Sequence, residues 1–357
     1  MKNKIVILGF SESVHIWRWS TGLKNLGYDI TLISCGGQPL ANIETINIRT
    51  TSKRAITYLL NKNHVARLIK KIAPDLIHAF LATGSGYWGT AVSPCPNLLT
   101  PLGSEITGAE TKSWIYRAVL RHIIKRYQYF TTASDYLKNE LNRQFPNSKG
   151  KTIVIPFGVN IADKIKQHLD IRPIRLIYLK HLTSLYGPDI LLEAMNILKS
   201  NNFPVELDFY GDEKLAGWLK GTVEKFQLSE NVKFCGWLKP EEINTRLLEY
   251  DIMVMPSRVE SFGVAAVEAG AVGLPVIASD VGGIPEIIDN NKTGLLVPSE
   301  NPQKLAEAII RLGDDFELRN KMGESAREKV IAKFNWENNL RTMGDLYERM
   351  IFEGGKK

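Results

Sequence analysis

Cysteine is scarce in this sequence of 357 residues, and the three that occur, Cys35, Cys95 and Cys235, lie far apart. An odd number of scattered cysteines, without a CxxC pair or a Cys/His cluster, argues against a disulfide framework and against a zinc site. We expect free thiols in a reducing cytoplasm.

Long apolar runs are also missing. No run approaches the roughly 20 residues that cross a bilayer, and the apolar part of the opening MKNKIVILGF is shorter than a secretory signal requires. We expect this opening to form a first β-strand. The composition, 44% hydrophobic and 23% charged, is that of a globular protein, and the length allows two domains.

The tripeptide Asp-x-Asp does not occur. Metal ions that bind diphosphates are normally held by carboxylates placed in this way. The sequence therefore predicts chemistry without a metal or other cofactor, in which cations and helix N-termini neutralise any bound phosphate.

Positive charge is concentrated in the first half of the chain. Residues 1–160 contain 20 Lys and Arg against 8 Asp and Glu, a net charge of +12, whereas the whole chain carries +7, which leaves −5 for residues 161–357. This asymmetry predicts that the first half faces an anionic partner, such as a membrane surface, a phosphorylated acceptor or nucleic acid. Nucleic acid is the weaker alternative because no binding motif accompanies the charge.

Short apolar segments without period-two alternation are separated by helical patterns, as in buried parallel sheets. The pattern occurs twice, which predicts an α/β protein of two doubly wound, Rossmann-like domains facing each other across a cleft. We place the first domain at residues 1–165, the second at 166–335, and a last helix, 336–357, that crosses back to the first. The predicted strands are Ile5–Leu8, Ile30–Ser34, Leu76–Phe80, Asn97–Thr100, Tyr129–Ala133, Ile153–Ile155, Arg175–Lys180, Val205–Tyr210, Val232–Cys235, Ile252–Met255 and Val276–Ser279.

The segment Met255–Ile288 has the highest density of motifs. Glu260 lies in a loop and Glu268 lies eight residues later, in the helix that follows. Gly263 allows a ligand to approach the backbone, and the N–H groups that begin this helix can hold a diphosphate. This spacing alone is more typical of one glutamate that caps the helix and a second that is solvated. The surrounding residues therefore have to distinguish a ligand site from this simpler interpretation.

Those residues resemble the family 4 retaining glycosyltransferases of the GT-B fold. The family's motifs occur here in order: Pro256-Ser257, Glu260-Ser261-Phe262-Gly263, Glu268, Gly273-Leu274-Pro275-Val276-Ile277, Gly282-Gly283-Ile284-Pro285-Glu286 and Gly294-Leu295-Leu296-Val297.

The resemblance implies a nucleotide-sugar donor site in the second domain. Glu260 would contact the donor sugar and Glu268 the ribose. Backbone N–H groups of Ser261, Phe262, Gly263 and Val264 would hold the sugar and phosphate. The base pocket would be formed by Gly236, Trp237 and Leu238, with Gly211 at the end of a nearby strand; a core position for Trp237 is an equal alternative.

The loop after the first strand of the second domain differs from the family's commonest form, in which an Arg and a Lys neutralise the diphosphate. Here Lys180 stands at the Arg position and Tyr186 at the Lys position. The segment looks like a branch with R-x-L-x-x-x-Y-G, in which Lys180 keeps the charge but loses the bidentate fork. His181 is an outside candidate.

Acceptor residues are expected at the strand ends of the first domain. Candidates after the first strand are Gly9, Ser13 and His15, although His15 is equally well a surface residue. His78, Gly103, Ser104 and Glu105 match residues common in the family or resemble them. Leu102 replaces a family His, so the sequence identifies no acceptor base.

The segment Gly84–Gly89 matches G-x-G-x-x-G, with Glu105 downstream, and would suggest a dinucleotide-dependent dehydrogenase. It follows a middle strand, whereas the usual fingerprint opens its domain, so a flexible loop facing the acceptor is the better interpretation.

The resemblance favours a retaining, metal-independent hexosyl- or N-acetylhexosaminyltransferase that uses a UDP- or GDP-sugar in polysaccharide or glycolipid biosynthesis. A nucleotide-sugar 2-epimerase of the same fold and a non-catalytic sugar- or nucleotide-binding protein are the alternatives.

Two basic helical segments, Lys112–Phe130 and Lys53–Lys71, predict peripheral docking on an anionic membrane. In the first, Ile115, Val119, Leu120, Ile123, Ile124 and Tyr127 should form one apolar half, opposite Arg117, Arg121 and Lys125, and that half could simply pack on the sheet.

Overall fold

The computed structural model describes residues 3–49, 54–91, 95–212 and 216–354. The chain divides into two compact units, Met1–Phe157 together with Glu337–Lys357, and Gly158–Trp336. The first boundary lies before the predicted residue 165 because Val159 pairs with Asn335 in a parallel bridge within the second unit. The chain enters and leaves that unit at this bridge.

The first unit is built on a parallel sheet of seven strands, counted over the described residues, in the order β3-β2-β1-β4-β5-β6-β7. The strands are β1 (Lys4–Gly9), β2 (Asp29–Ser34), β3 (Glu44–Asn47), β4 (Leu76–Phe80), β5 (Asn97–Thr100), β6 (Tyr129–Thr132) and β7 (Thr152–Val154). The order reverses direction between β1 and β4, and loops that follow strands on either side of such a switch point commonly bind ligands.

Helices cover both faces of this sheet, as the apolar strand β4, buried along its whole length, requires. They are α1 (Val14–Asn25), α2 (Arg54–Ile72), α3 (Ser85–Gly89), α4 (Ser104–Thr107), α5 (Trp114–Ile124), α6 (Asp135–Gln144) and the final α14 (Trp336–Gly354).

Helix α14 packs into the first unit through buried apolar residues such as Leu340, Met343 and Tyr347. The Asn339 side-chain amide donates to the carbonyl of Pro156 at 3.0 Å. The Tyr28 hydroxyl contacts Glu348 at 2.8 Å.

The second unit contains a parallel six-stranded sheet within the described residues, in the order β10-β9-β8-β11-β12-β13. The strands are β8 (Ile174–Leu179), β9 (Val205–Tyr210), β10 (Val232–Gly236), β11 (Ile252–Met255), β12 (Val276–Ser279) and β13 (Gly294–Val297). The helices are α7 (Pro188–Ser200), α8 (Gly217–Lys225), α9 (Ile243–Leu247), α10 (Val264–Ala271), α11 (Ile284–Ile287), α12 (Pro302–Asp314) and α13 (Phe316–Lys333). Its switch point lies between β8 and β11.

None of the helices in the described ranges combines the length and apolarity needed to span a membrane.

Candidate active site

Lys180 and Glu260 meet at the switch point of the second sheet. Lys180 directly follows β8, and Glu260 lies in the loop that follows the neighbouring strand β11. The Lys180 Nζ lies 2.5 Å from the Glu260 Oε2, and both side chains are largely buried. The structure therefore joins the two residues that the sequence places in catalysis.

Tyr186 completes this cluster, since the Lys180 Nζ lies 4.7 Å from the centroid of its ring, a cation–π distance. The buried Tyr178 holds the intervening loop, because its hydroxyl lies 3.0 and 3.3 Å from the carbonyl oxygens of His181 and Tyr186 and shares its one proton between them. Burial raises the pKa of the Tyr178 phenol well above its usual value, so the hydroxyl stays protonated as a donor.

A second ion pair, which the sequence does not indicate, connects the loop after β11 to the first turn of α7. The guanidinium of Arg258 donates to both carboxylate oxygens of Asp189, at 2.9 and 2.7 Å. Burial would raise the pKa of Asp189, but the hydrogen bonds and charge of Arg258 outweigh it and leave that pKa below its usual value. Arg258 also bonds the carbonyl of Ser184 and the carboxylate of Glu300. Its only sequence signal was its position between Ser257 and Glu260.

The N-terminus of α10 lies beside Glu260. Gly263 caps the helix with a φ of +107°, and an added Cβ there would come 3.7 Å from the Glu260 Cγ and 2.7 Å from Ile284. The N–H groups of Ala266 and Val267 donate to the Gly263 carbonyl, and those of Val264 and Ala265 precede this first bond, as at every helix start. In this otherwise buried helix, Val264 and Glu268 are half-exposed, so Glu268 lies on the same face as Val264, the first residue of the helix.

The Gly282-Gly283 turn holds the loop from its other side. The Gly283 N–H donates to the Glu260 carbonyl at 3.0 Å, and an added Cβ at Gly283 would come 2.4 Å from the carbonyl oxygen of Ser261. The Phe262 ring is buried against Phe334, with centroids 5.8 Å apart. The loop is therefore fixed by backbone contacts that larger residues would prevent.

Strands β9 and β10 bring the predicted base-pocket residues together. The Gly211 N–H donates to the Gly236 carbonyl at 2.9 Å, and an added Cβ at Gly211 would collide with the Lys180 carbonyl. Trp237 is 63% exposed and lies 5.5 Å from the His181 ring, which excludes the alternative of a core aromatic. Leu238 is buried.

The first unit has a cavity of about 620 Å³ at its own switch point. Loops after β1 and β4 contribute Phe10, Ser13 and Thr83, and the loop after β5 contributes Leu102. Helices α2, α3 and α5 supply apolar and aromatic side chains to the remaining wall. The full set is Phe10, Ser13, Ile16, Tyr58, Leu59, Phe80, Leu81, Thr83, Gly84, Ser85, Tyr87, Leu102, Tyr116, Val119 and Ile123.

The buried Glu105 holds two of these loops in place. Its carboxylate accepts from the backbone N–H groups of Ala82, Leu102 and Gly103 at 3.2, 2.7 and 3.0 Å. Burial raises its pKa against the opposing effect of these bonds. Ser104, next to it, is exposed, and Gly103 has a φ of +132°.

His78 is fully buried, and its two ring nitrogens lie 2.6 Å from the Tyr347 and Thr100 hydroxyls. Burial lowers its pKa to about 3, so the ring is neutral at physiological pH. In this structure it connects β4, β5 and α14 and has no free nitrogen. The His15 ring stacks on Phe157, with ring centroids 4.2 Å apart, and Gly9 is buried at the end of β1.

The glycine-rich segment after β4 is a short helix, α3, and not the flexible loop expected from the sequence. An added Cβ at Gly84 would come 2.7 Å from the Tyr58 ring, and one at Gly89 would collide with the Tyr127 hydroxyl. These glycines allow close packing within the unit.

Among the described residues, no group of three or more His, Cys, Asp or Glu is arranged to hold a metal ion.

The two parallel sheets, with converging side chains at the strand ends of the second, define a class of two-domain α/β proteins of Rossmann-like units. A family model of group 1 glycosyl transferases matches residues 161–329, and a model of 4-like glycosyl transferases matches residues 4–134. An uncharacterized glycosyltransferase of Methanocaldococcus jannaschii is 31% identical over 354 residues, which cover 95% of this chain and 94% of that protein. The chain belongs to the group 1 glycosyltransferases.

Solved structures show the same fold. Sucrose-phosphate synthase of Thermosynechococcus elongatus superposes with a TM-score of 0.87 at 22% identity, covering 99% of this chain and 100% of the other. Anabaena HepE, solved in complex with UDP and glucose, gives 0.81 at 18% identity, covering 97% and 99%. The fold is the two-domain GT-B fold, as the sequence predicted.

Proposed function

We propose that this chain transfers a sugar from a nucleoside diphosphate sugar to a hydroxyl acceptor, with retention of anomeric configuration and without a metal ion. The contact between Lys180 and Glu260, beside the N-terminus of α10, carries this proposal. A sugar diphosphate requires a cation to neutralise its phosphates, a carboxylate to bind its hydroxyls and oriented N–H donors for its phosphate oxygens. The switch point offers a cation, a carboxylate and a helix N-terminus.

Lys180 has two roles in this proposal. Without donor, its ammonium group pairs with Glu260. With donor, it faces the diphosphate, and Glu260 turns its carboxylate to the sugar hydroxyls. The α10 N-terminus adds further positive potential to the departing phosphate. Glu268, on the half-exposed face of α10, accepts hydrogen bonds from the two ribose hydroxyls.

In the transfer step, the bond between the anomeric carbon and the β-phosphate oxygen breaks. The acceptor oxygen attacks that carbon from the same face and passes its proton to the departing phosphate. The products are a glycoside and a nucleoside diphosphate. Pre-positioned charge and proximity supply most of the acceleration in such a site. The likeness to a UDP-bound structure favours a uridine nucleotide as donor, with guanosine as the alternative.

The acceptor in this proposal belongs to polysaccharide or glycolipid synthesis and is attached to a lipid at an anionic membrane. Support comes from the basic first half and from exposed apolar residues on two of its helices. Leu59 and Leu60 of α2 are 62% and 71% exposed, and Trp114 and Ile115 of α5 are 72% and 56% exposed. Such side chains beside basic residues are typical of helices that lie on membranes.

The test is incubation with a panel of UDP- and GDP-sugars, with and without chelator, followed by measurement of released nucleoside diphosphate and of the sugar. A transferase hydrolyses one donor slowly, with EDTA present, and faster with acceptor. An altered sugar without release of nucleoside diphosphate would indicate the epimerase. Loss of activity in EDTA, restored by Mg²⁺ or Mn²⁺, would contradict the metal-free site, and binding without turnover would contradict catalysis.

A further inference from the structure

Three basic side chains lie close together beside the first unit's cavity. The Lys62 Nζ lies 4.2 Å from the ring centroid of Tyr87, a cavity-lining residue. His122 and Arg126 extend from α5 and the residues just after it, and the Arg126 Nη1 lies 3.1 Å from the His122 Nδ1. We name Lys62, His122 and Arg126 the rim cluster.

In the described part of the chain, the charges that act on Lys62 and His122 are basic ones from within the cluster. Burial lowers the pKa of Lys62, and the charge of Arg126 lowers it further. Burial likewise lowers the pKa of His122, and so do the charges of Arg126 and Lys62. Three basic groups that destabilise one another's protonated forms gain stability when an anion binds among them.

The cavity next to the rim cluster is suited to a hydrocarbon chain. Its volume, about 620 Å³, falls within the range of small-molecule sites. Leu59, Val119 and Ile123, on the same two helices as the rim cluster, contribute apolar side chains to its wall. Leu59 and Val119 are also exposed, so the apolar wall continues to the surface between α2 and α5.

We infer that this cavity and the rim cluster together bind the lipid anchor of the acceptor, an amphiphile with a hydrocarbon chain and a phosphate group. The chain fills the apolar cavity, and the phosphate lies among Lys62, His122 and Arg126. This inference rests on the proposed function only where it identifies the bound molecule as the acceptor. The existence of a binding site for an alkyl phosphate does not depend on the proposed function. It differs from general attraction to an anionic surface, because it requires both a chain and a phosphate on one molecule.

The test uses alkyl phosphates below their micelle concentrations and isothermal titration calorimetry on the full chain. Affinity should rise about fourfold with each added CH₂ from hexyl to dodecyl phosphate, the increment expected for burial of each CH₂. Inorganic phosphate and the uncharged dodecyl glucoside should each bind at least about tenfold more weakly than dodecyl phosphate, since one lacks the chain and the other the charge.

Two variant pairs separate the site from nonspecific charge. Lys62→Ala with Arg126→Ala should weaken dodecyl phosphate binding by about tenfold or more, because two charge-assisted contacts are lost. Arg117→Ala with Arg121→Ala removes the same charge from exposed positions of α5 and should leave the affinity within about twofold. Thr83→Phe narrows the cavity and should weaken the dependence on chain length while leaving nucleotide binding unchanged.

Equal loss in both double variants, or affinity independent of chain length, would overturn the inference. Inorganic phosphate binding as tightly as dodecyl phosphate would also overturn it, and would identify a free-phosphate site. These outcomes are independent of the release of nucleoside diphosphate, which tests the proposed function alone.

Discussion

The ammonium nitrogen of Lys180 lies 2.5 Å from a carboxylate oxygen of Glu260, across the switch point of the second sheet and 80 residues away in sequence. Neither side chain is fully exposed, so the pair is less screened than a surface salt bridge. A cation that pairs with a carboxylate before the donor binds is already oriented when the diphosphate arrives. This relationship leads to opposite expectations for the two residues.

Replacing Lys180 tests the cation that faces the leaving group. Lys180→Ala should reduce turnover by about 100-fold, the usual effect of removing one pre-positioned electrostatic donor. Lys180→Arg keeps the charge and should stay within about tenfold of the parent. The measurement is the rate of nucleoside diphosphate release at saturating donor. Similar rates in all three proteins would mean that another cation faces the diphosphate.

The two glutamates should separate binding from turnover. Glu268→Ala should weaken nucleoside diphosphate binding by about 1.5–3 kcal/mol, the loss of hydrogen bonds to a charged acceptor. Glu260→Ala should lower turnover and leave that affinity unchanged or tighter, because Lys180 loses its anionic neighbour. Calorimetry with UDP and GDP, combined with turnover measurements, distinguishes the two. Parent-like binding and turnover in both variants would show that the site lies elsewhere.

Most of the fold could be predicted from the sequence, because buried parallel strands are continuous apolar segments. β4, β5, β9, β11 and β12 begin and end at the predicted residues. The edge strand Glu44–Asn47 was missed, since its residues are exposed or half-buried and polar residues interrupt its pattern. In α5, Leu120, Ile123 and Ile124 pack inward, as in the alternative that the sequence left open, whereas Ile115 and Val119 are exposed. The fully buried residues of that helix lie in its second half, and Tyr116 of the first half packs against the core while partly buried.

The site was predicted less completely than the fold. Motif residues Lys180 and Glu260 could be assigned from resemblance, because the family's motifs are dense there. The pair of Arg258 and Asp189 could not be recognised, since a long-range partner leaves no local pattern. The rim cluster was also invisible as a unit: Lys62 belongs to one basic helix and Arg126 to the other segment. In the Lys53–Lys71 segment, Lys53 and the side chain of Arg54 lie outside the described residues.

The bidentate pair of Arg258 and Asp189 should couple loop geometry to turnover. Arg258→Lys keeps the charge but loses the fork, and it should lower both stability and turnover. A double-mutant cycle with Asp189→Asn and Arg258→Ala should give a coupling energy of about 1–3 kcal/mol in the free energy of unfolding. A coupling energy near zero would mean that the loop after β11 and the first turn of α7 are held by their backbone bonds alone.

The buried His78 should make the protein less stable in acid. Its pKa is about 3 in the folded chain against an ordinary value of 6.5, so above pH 6.5 it is neutral in both states. As the pH falls from 6.5 towards 3, only the unfolded chain takes up the proton, and stability is lost at about 1.4 kcal/mol per pH unit.

Urea unfolding across this pH range should show that slope reduced in His78→Gln. Burial lowers the pKa of His168 to about 4, so this residue adds its own contribution to the loss of stability in acid. His168→Gln therefore serves as the matched control and should retain the part of the slope that is due to His78. An unchanged slope in His78→Gln would indicate that its ring is protonated in the folded state.

Docking of the first unit on anionic membranes is the last prediction. Arg117, Arg121 and Lys125 are exposed along α5 and at its end, next to the exposed Trp114. Each such charge contributes about 1 kcal/mol near an anionic leaflet, so replacing all three with Ala should weaken vesicle binding by about 100-fold. Co-sedimentation with anionic and neutral vesicles measures this binding, and binding to the anionic vesicles should weaken as the salt concentration rises.

The control replaces three exposed lysines of the second unit, Lys233, Lys292 and Lys321. These substitutions remove equal charge and should leave vesicle binding unchanged. Absence of binding to anionic vesicles at low salt would rule out the docking, because electrostatic attraction is strongest there.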